Sequence, residues 1–479
     1  MDLFGRRKLF TVENDITSEN VANILNSVLS AHVQNMAQEE YLFRYRRGVQ
    51  PILSRTKNVR PEINNKVAEN HANEIVAFKN GYFLTQPAFY VSRSEDTDAV
   101  KRLNDYLYLC GKQQADNDVV DWFHTVGIGV LYVYPYANDT ECPVRAVALD
   151  PRSSFVVYDR RPGNEPVMGV NIVVDKDVAY FDVYTRNRYF KVYGTVHSPV
   201  TDERPVIMAA SRVMEEKQNT VGEIPLIEYA YDTNRMGAFE SVVPLLDAIN
   251  NVQSNRLDGI EQFIQSLMVF YNCTLGEDED GKQITPAMVR ECGAIFLKSI
   301  GMDKADLKIL SEQLDQSQTQ VLVDYLYQQV LTICGMPSTT KGGTSTSDTG
   351  AAVLYRDGWY QADTYARNTE DLFVRANKYF DRVFVKILRL KCGLDVAMSD
   401  FKLQFVRNET ANILVKTQAA LNLKQLGFSP ELAFAKSGLS NDPIMDVEKS
   451  GEYMKSAWNT ESEPEETNEL KETGKPNEN

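Results

Sequence analysis

The sequence has few of the residues that build disulfide-linked, zinc-binding or membrane-embedded proteins. Its 479 residues include six cysteines and four histidines. No two cysteines form a Cys-x-x-Cys pair, so their spacing fits free thiols in a reducing compartment. No apolar run approaches the roughly 18 residues of a membrane span, and no apolar signal core follows the charged N-terminal residues. We therefore expect a soluble protein with no membrane partner.

Signatures of catalysis and nucleotide binding are also missing. The stretch 338–350 is rich in Gly, Ser and Thr but lacks the Gly-x-x-x-x-Gly-Lys-Ser/Thr spacing of a phosphate-binding loop. The segment 110–113 lacks the first glycine and the magnesium ligand of that loop. Gly127 and Gly129 lead into a predicted strand, where a dinucleotide fingerprint would open a helix, so close backbone packing explains them better.

The sequence also lacks the common metal-binding patterns. The histidines at 32, 71, 124 and 197 are far apart, and none begins a His-Glu-x-x-His pair, so each is predicted to be structural. The glycine-flanked acidic run 277–280 lacks the alternating ligand spacing of a calcium loop and is typical of a solvated turn. We predict no catalytic residue, no metal site and no cofactor, and hence a protein that is not an enzyme.

The first half of the chain predicts helices followed by a sheet. Residues 17–47 have a helical pattern, and two more helices between 61 and 110 flank a short strand at 89–91. Between 126 and 235, β-branched and aromatic runs separated by turn residues predict an antiparallel sheet. These runs are 130–134, 146–149, 155–158, 169–174, 179–184, 189–193 and 226–229. With 43% hydrophobic residues the chain can bury a large core, and the fold class predicted is α+β.

A long helix is predicted from about Phe239 to about Phe270, which corresponds to roughly 48 Å. Its apolar residues form only a narrow stripe, so the helix needs neighbours along its side. They are Leu246, Ile249, Leu257, Ile260, Ile264 and Leu267. A second helix, at about 311–334, can pair with it. The segment 272–310 between them predicts a small α/β insert with the acidic turn, a helix near 285–292 and a strand at 294–297.

The last third is predicted to be helical apart from one loop and the end. Residues 338–350 are too rich in Gly, Ser and Thr to fold alone and predict a mobile loop. A helix follows at about 351–391, and helices occupy roughly 409–455, with Pro430 and Pro443 at helix starts. Beyond Trp458 the sequence is acidic and almost without apolar residues, which predicts a disordered tail dispensable for folding.

Several stretches resemble, in order, the portal proteins of tailed bacteriophages, specifically the siphophage branch. The stretch Leu245-Leu-Asp-Ala-Ile-Asn, with Ser254, Asp258 and Phe263, resembles the first stem helix of that family. Upstream, the matching stretches are Asn65, Glu74-Ile-Val and Gly81-Tyr-Phe-Leu-Thr-Gln-Pro. Downstream, they are Gly335-Met-Pro-Ser, Gly350-Ala-Ala-Val-Leu, Phe405-Val-Arg-Asn-Glu-Thr-Ala-Asn-Ile, Leu426-Gly-Phe-Ser and Asn441-Asp-Pro. The resemblance covers about residues 60–445.

The resemblance implies a portal-type fold with an α/β wing, a two-helix stem, a small α/β clip, a tunnel loop with a long helix, and a helical crown. On that basis the chain divides into consecutive regions. They are an N-terminal helical region (1–60), wing (61–235), first stem helix (236–271), clip (272–310), second stem helix (311–335), tunnel loop (336–350), long wing helix (351–395), crown (396–458) and disordered acidic tail (459–479).

The resemblance also implies a function and partners. The expected protein is a ring at one capsid vertex of the virion, assembled in the host cytoplasm. The family implies that this ring is a homododecamer. It would nucleate procapsid assembly and conduct double-stranded DNA during genome packaging and ejection. Its other partners would be the terminase, the head-completion adaptor, and the major capsid and scaffolding proteins.

Two sets of site residues follow from the resemblance. The tunnel loop would contact DNA, with Lys341 as its one obvious phosphate contact. Its members are Thr339, Thr340, Lys341, Gly342, Gly343, Thr344, Ser345, Thr346 and Ser347. The clip would bind partner proteins through an acidic tip. Its members are Glu277, Asp278, Glu279 and Asp280.

Three questions stay open at the level of sequence. The net charge of −15 excludes a protein that grips nucleic acid over a broad surface, and it fits either simple solubility or a channel wall that repels DNA. The cluster Tyr41–Arg47 could stack on nucleic acid, although packing or subunit contact is the favoured interpretation. The alternative function is an enzyme or regulator with a pocket in the 126–235 sheet region.

Overall fold

The computed structural model describes residues 5–93, 97–137, 141–175, 178–196, 208–264, 267–271, 273–275, 297–299, 306–310, 316–337, 358–405, 413–440 and 442–459. Helices and strands are both abundant, which confirms the α+β class. The chain forms two compact units. The larger comprises Met1–Phe83, Gln114–Pro135 and Val144–Phe384, and the smaller comprises Leu84–Gln113, Tyr136–Pro143 and Val385–Asn479.

Ten α-helices lie in the described residues. They are α1 (Val21–Arg46), α2 (His71–Phe83), α3 (Thr97–Leu109), α4 (Lys112–Val126), α5 (Val243–Ile264), α6 (Gln316–Cys334), α7 (Trp359–Cys392), α8 (Ile413–Gln425), α9 (Pro430–Ser437) and α10 (Pro443–Asn459). Pro430 and Pro443 each open a helix, as predicted, because a proline at the first helical position has no amide hydrogen to lose. None of these helices has the length and apolar character that a membrane crossing requires.

Fifteen strands lie in the described residues. They are β1 (Leu9–Thr11), β2 (Phe89–Ser92), β3 (Ile128–Pro135), β4 (Val144–Leu149), β5 (Ser154–Asp159), β6 (Pro166–Asp175), β7 (Val178–Thr185), β8 (Arg188–Val196), β9 (Met208–Gln218), β10 (Leu226–Ala230), β11 (Leu267–Tyr271), β12 (Cys273–Leu275), β13 (Leu297–Ser299), β14 (Asp306–Leu310) and β15 (Phe401–Gln404). All seven predicted runs between 126 and 235 are strands.

The larger unit is built on a six-stranded sheet in the order β1-β5-β6-β7-β8-β9. Every pairing is antiparallel except that of β1 with β5, which is parallel. Alternation along β7 buries Phe181 and Val183 on one face, and helix α1 covers that face with Leu25, Val28 and Leu29. Burial of this apolar face is what fixes the register of the sheet.

A second sheet, in the order β10-β3-β4, packs near the other face of the first. Gly169 on β6 marks the close approach, because a Cβ added there would lie 2.6 Å from the Cβ of Leu226. Tyr132 and Tyr184 bridge the two sheets, with their hydroxyl oxygens 3.1 Å apart. The sheet region predicted from sequence therefore consists of two packed sheets.

The smaller unit contains α3, the antiparallel pair β15-β2 and the helices α8, α9 and α10. Trp458, in the last turn of α10, donates from Nε1 to the carbonyl of Phe428 at 3.0 Å and packs edge-on against Phe434. These contacts make Trp458 a packing residue. The predicted tail, which begins one residue later, lies outside the described residues apart from Asn459.

Some predictions need correction. The helix predicted to reach about Phe270 ends at Ile264, and residues 267–271 instead form β11, which pairs with β14. The sequence Leu-Met-Val-Phe-Tyr is apolar and partly β-branched, so it satisfies a strand as well as a helix. Helix α4 and the strands β1, β9 and β15 were missed. Strand β9 carries mostly polar residues at a sheet edge, so it has no buried alternation to reveal it.

Candidate functional site

The predicted DNA-contacting and partner-binding residues, Thr339–Ser347 and Glu277–Asp280, lie outside the described residues, so only their flanks can be located. Pro337 and Gly358 lie against each other, since a Cβ added at Gly358 would be 3.6 Å from the Cα of Pro337. The two described residues that bound this segment are therefore adjacent. The acidic run is flanked by β12 and β13, which pair so that Leu275 faces Leu297.

Helices α5 and α6 lie side by side, as the sequence predicted, and they run antiparallel. Near one end the thiol of Cys334 donates to the carbonyl of Ala238 at 3.6 Å, and near the other Arg256 donates to the side-chain oxygen of Gln320 at 2.8 Å. The helix pair then continues into the strand pairs β11-β14 and β12-β13. Along the chain, α5 thus leads into β11, and β14 leads into α6.

Burial changes along this helix pair. At its inner end Leu246, Ile249 and Val330 are at most 1% exposed and belong to the core. Towards the other end large apolar side chains face solvent. They are Leu257 (45% exposed), Ile260 (42%), Val321 (68%), Leu322 (47%) and Tyr325 (60%). We call these five side chains the apolar stripe. Groups of exposed apolar side chains are typical of interaction surfaces.

An extended segment runs along α5 and is held by a ladder of hydrogen bonds. Three buried polar side chains spaced four residues apart on α5 accept bonds from every second backbone amide of the segment. The bonds are Glu69 N to Asn250 Oδ1 (2.8 Å), Val67 N to Ser254 Oγ (3.0 Å) and Asn65 N to Asp258 Oδ1 (2.7 Å). Four helical residues rise about 6.0 Å and two extended residues about 6.6 Å, so the two repeats match.

The ladder explains why α5 carries more polar residues than a buried helix tolerates. Asn250, Ser254 and Asp258 are at most 4% exposed, and each satisfies a backbone amide that would otherwise be buried without a partner. At the far end Asp258 also contacts the ammonium of Lys57 and lies 3.4 Å from Arg55. Burial acts to raise the pKa of Asp258, but Lys57 and the Asn65 contacts outweigh it and lower that pKa.

His71, at the start of α2, joins this segment to α6. Its Nδ1 lies 2.8 Å from Glu74 and its Nε2 lies 3.0 Å from Glu69. A ring with both nitrogens facing carboxylate oxygens must carry both protons to satisfy them. Burial acts to lower the pKa of His71, yet the bonds to Glu74 and Glu69 raise it overall. Tyr327 of α6 completes the cluster by donating to Glu74 at 2.6 Å.

The start of α5 is fixed by the residues just before β1. Arg6, whose side chain is fully buried, donates to Glu240 at 2.7 Å and to the carbonyl of Val126 at 2.9 Å. Glu240 also accepts the backbone amides of Gly5 and Gly237. Gly5 has a φ of +77°, and a Cβ there would lie 2.0 Å from a carbonyl oxygen, so only glycine fits.

The basic and aromatic cluster Tyr41–Arg47 is largely a packing element, as favoured from sequence. Tyr45 is buried and donates to Asp247 at 2.9 Å. Phe43 stacks on Trp122, and the guanidinium of Arg152 lies 4.3 Å from the Phe43 ring centre. Rings engaged in this way are not free to stack on bases.

The sheet region contains a small cavity of about 40 Å³ at the place where the enzyme alternative requires a pocket. Its buried polar side chains already satisfy one another, since Tyr158 donates to Glu228 at 3.0 Å and Arg235 also pairs with Glu228. Burial raises the pKa of Tyr158 well above its usual value, so its hydroxyl stays protonated and cannot accept a proton from a substrate. Within the described lining there is no nucleophile paired with a general base.

The remaining sequence candidates have structural roles where they are described. His32 and His124 are buried and contact Arg152 O at 3.2 Å and Asn80 Oδ1 at 2.7 Å, respectively. A Cβ at Gly127 or Gly129 would lie 2.2 or 2.5 Å from a backbone oxygen, which confirms close packing. Among the described residues no group of three or more His, Cys, Asp or Glu side chains is arranged to hold a metal.

Sequence reasoning found the resemblance residues but not their contacts. Asn65 and the group Asn250, Ser254 and Asp258 lie in separate stretches of the sequence, and the structure brings them together in the ladder. The signal that could have revealed the ladder is the spacing of four residues between the polar positions of α5, which matches a spacing of two residues in an extended segment. The exposure of the apolar stripe could not be read from sequence, because the buried and exposed apolar positions of these helices follow the same periodicity.

Comparison with known families gave one match. Residues 27–465 match the family model described as phage portal protein, SPP1 Gp6-like. No curated protein sequence matched the chain. The matched range includes the ladder, α5, α6 and α7, and it excludes β1 and the buried Arg6.

Proposed function

This chain belongs to the phage portal protein family described as SPP1 Gp6-like, and from that premise we propose that it forms a closed ring at one vertex of a phage capsid. The ring would conduct double-stranded DNA during packaging and ejection. The family is structural rather than catalytic, which fits a sheet-region cavity whose described polar groups are already paired.

The proposed regions follow the family's order. The wing would comprise 61–235 with the long helix α7, and the crown would comprise α8 to α10. The stem would be the helix pair α5 and α6, now bounded at Val243–Ile264 and Gln316–Cys334. The clip would comprise 272–310 at the end of the strand pairs, and the tunnel loop would comprise 336–350.

One observation carries the ring proposal beyond the family match: the apolar stripe has nothing covering it within the described chain. Leu257 and Ile260 on α5 and Val321 and Tyr325 on α6 expose between 42% and 68% of their surface. A neighbouring copy in a head-to-tail ring would cover them, because a heterologous contact that closes on itself forms a ring. Twelve copies is the number that the resemblance implies.

Replacing Val321 and Tyr325 by glutamine should weaken each subunit contact by about 2 kcal/mol, or roughly thirtyfold, because two apolar side chains would no longer be buried. Native mass spectrometry at micromolar concentration should show rings for the wild type and smaller species for the variant. Val12 and Met214 are 74% and 54% exposed, and the matched variant Val12→Gln/Met214→Gln should keep its rings. A wild-type chain that remains monomeric at every salt concentration would contradict the proposal.

The tunnel loop is proposed to project into the channel, where Lys341 would touch DNA phosphates transiently. Support comes from its anchoring, since the segment begins and ends at the adjoining Pro337 and Gly358. It also comes from composition, because glycine and hydroxyl residues allow a loop to adapt as DNA advances. Loops of this length in compact proteins tend to be functional.

The clip is proposed to meet the terminase during packaging and the head-completion adaptor afterwards. The pairs β11-β14 and β12-β13 carry the chain away from the helix pair, with the acidic run beyond Leu275. A cluster of carboxylates offers a charge-complementary contact to basic partners. The proposed contacts with capsid and scaffolding proteins, nucleation of the procapsid and assembly in the host cytoplasm rest on the family alone.

Variants of these two segments should fail at different steps. Lys341→Ala combined with deletion of 342–346 should impair DNA packaging while terminase and adaptor still bind. Replacing Glu277, Asp278, Glu279 and Asp280 by serine should weaken that binding while rings persist. Packaging would be measured by nuclease protection and binding by pull-down with purified partners. Normal packaging by the loop variant would remove the loop from the mechanism, and unchanged binding would leave the acidic run with solubility alone.

A further inference from the structure

Helix α7 carries a run of exposed cations on one face of the larger unit. Arg375, Lys378 and Arg382 are all exposed, and their spacing of three and four residues places them on the same side of the helix. They span about 10 Å along the axis. In a chain with a net charge of −15 this concentration is unusual. We call these three side chains the cationic face.

These cations are not used up by carboxylates. Among the described residues none of Arg375, Lys378 and Arg382 forms an ion pair, and the only contact of Arg382 is with the Tyr379 ring, at 5.3 Å. Acidic groups on or beside this part of α7 are Asp371, exposed one turn earlier, the buried Asp381, and Glu165, which accepts a bond from Tyr379 at 3.2 Å. Because these cations are exposed and form no ion pair, they stay hydrated and can bind an anion.

Further positive charge borders the cationic face. Arg186, 58% exposed, lies near the Tyr379 hydroxyl, and its own carboxylate partner Glu223 is 3.8 Å away. Lys8 lies over the Tyr158 ring at 4.9 Å. Burial first, and then the neighbouring cations Arg235 and Arg375, lower the pKa of Lys8 against the carboxylate of Glu228. Arg186 and Lys8 thus add positive charge beside the cationic face, each with a carboxylate nearby, Glu223 and Glu228 respectively.

The kinds of side chain exposed on this surface distinguish between two classes of anionic partner, proteins and nucleic acids. A protein partner needs apolar or aromatic anchors that become fully desolvated at the centre of its interface. On α7 the large exposed apolar side chains are Trp359, Tyr360 and Leu390, and none lies between Asp371 and Lys386. Tyr379, the aromatic residue between Lys378 and Arg382, is half-buried and donates to Glu165. The surface therefore offers charge without a large exposed apolar anchor, which suits a phosphate backbone.

We propose that the cationic face binds the phosphate backbone of double-stranded DNA without regard to sequence. Successive phosphates of one strand rise about 3.4 Å along the duplex axis, so the length of the cationic face, about 10 Å, corresponds to the axial rise of about three of them. This contact is separate from the tunnel loop. It places DNA against the wing helix, in addition to any DNA in the channel.

The test compares two variants of equal charge. The first replaces Arg375, Lys378 and Arg382 by glutamine. The control replaces three exposed cations that already pair with carboxylates. They are Arg188 (2.9 Å from Glu216), Lys217 (2.6 Å from Glu215) and Arg367 (2.7 Å from Asp363). Binding of a fluorescein-labelled 30-bp duplex to the full chain would be followed by anisotropy between 50 and 200 mM NaCl, with the oligomeric state recorded by native mass.

The first variant should bind at least tenfold more weakly at 50 mM NaCl, and the slope of log K against log salt should fall by about 2 to 3, because each lost phosphate contact contributes about 0.9. The control should change binding less than twofold. Equal losses in both variants would reduce the effect to net charge and overturn the proposal. So would unchanged DNA binding with loss of binding to a polyglutamate probe, which would assign the face to an acidic protein.

A further arm separates this contact from the proposed channel. Introducing Lys341→Ala into both the wild type and the first variant should leave the difference between them intact. If the difference vanished, the DNA contact would belong to the loop. Failure of ring assembly with the difference preserved would count against the proposed function and leave the cationic face standing.

Discussion

Replacing Arg6 by alanine should lower the free energy of unfolding by about 3 to 5 kcal/mol, the range for breaking a buried ion pair. The guanidinium is inaccessible to solvent, lies 2.7 Å from Glu240 and donates to the Val126 carbonyl. Without it the Glu240 carboxylate would keep only the amides of Gly5 and Gly237. Burial already raises the pKa of Glu240, and loss of Arg6 would raise it further.

Urea denaturation at fixed pH, followed by circular dichroism, measures this loss. The neighbouring Arg7 is the matched control, because its side chain is exposed and donates only to Gln34, at 2.8 Å. Arg7→Ala should change stability by less than about 0.5 kcal/mol. Adding Glu240→Gln to Arg6→Ala should recover part of the loss, since a neutral amide leaves no unpaired buried charge, even though its single oxygen replaces two carboxylate oxygens that accept from Gly5 and Gly237 separately. A loss below about 1 kcal/mol for Arg6→Ala would show that the pair is dispensable.

Replacing Glu39 by glutamine should stabilise the protein at neutral pH, which is unusual for a core substitution. Glu39 on α1 is fully buried, and within the described chain neither carboxyl oxygen has a hydrogen-bond partner. Burial raises the pKa of Glu39 to about 8, with Arg6 and Arg235 acting against it and Asp150 and Glu228 adding to it. The group is therefore protonated in the folded protein at pH 7.

The sign of the pH dependence follows from the two states. In the unfolded chain the Glu39 carboxyl ionises near pH 4.5, whereas in the folded protein it ionises near pH 8. Below pH 4.5 the Glu39 carboxyl is protonated in both states, so its ionisation does not change the free energy of unfolding. Between these values each pH unit favours the unfolded state by about 1.4 kcal/mol, which amounts to about 3 kcal/mol at pH 7.

Glutamine keeps the shape and neutrality of the protonated acid but cannot ionise on unfolding. The stability gain of Glu39→Gln should thus be near zero at pH 4 and about 3 kcal/mol at pH 7, measured by urea denaturation across that range. The adjacent Glu40 is half-exposed and pairs with Arg152 at 2.6 Å, so Glu40→Gln should bring no gain. A Glu39→Gln variant that is equally or less stable than the wild type at pH 7 would refute this account.

Most elements could be read from local pattern. The alternation in β7 and the helical spacing in α1 each reflect a single buried face, and such a face leaves its period in the sequence. Where an element is polar or can serve as either helix or strand, the pattern fails. Strand β9 at a sheet edge and the apolar β11 beyond Ile264 are the two examples, because pairing partners 12 to 43 residues away decide their state.

The sequence by itself determined the α+β class, the order of the elements, the paired long helices and, through the order of its stretches, the family to which the chain belongs. Tertiary structure alone decided which polar residues meet. Asp258 accepts a bond from Asn65, Glu240 pairs with Arg6, and the Glu39 carboxyl has no hydrogen-bond partner within the described chain. Periodicity records how much of a side chain is buried but not what lies opposite it, since contacts between distant segments exist only after the chain has folded.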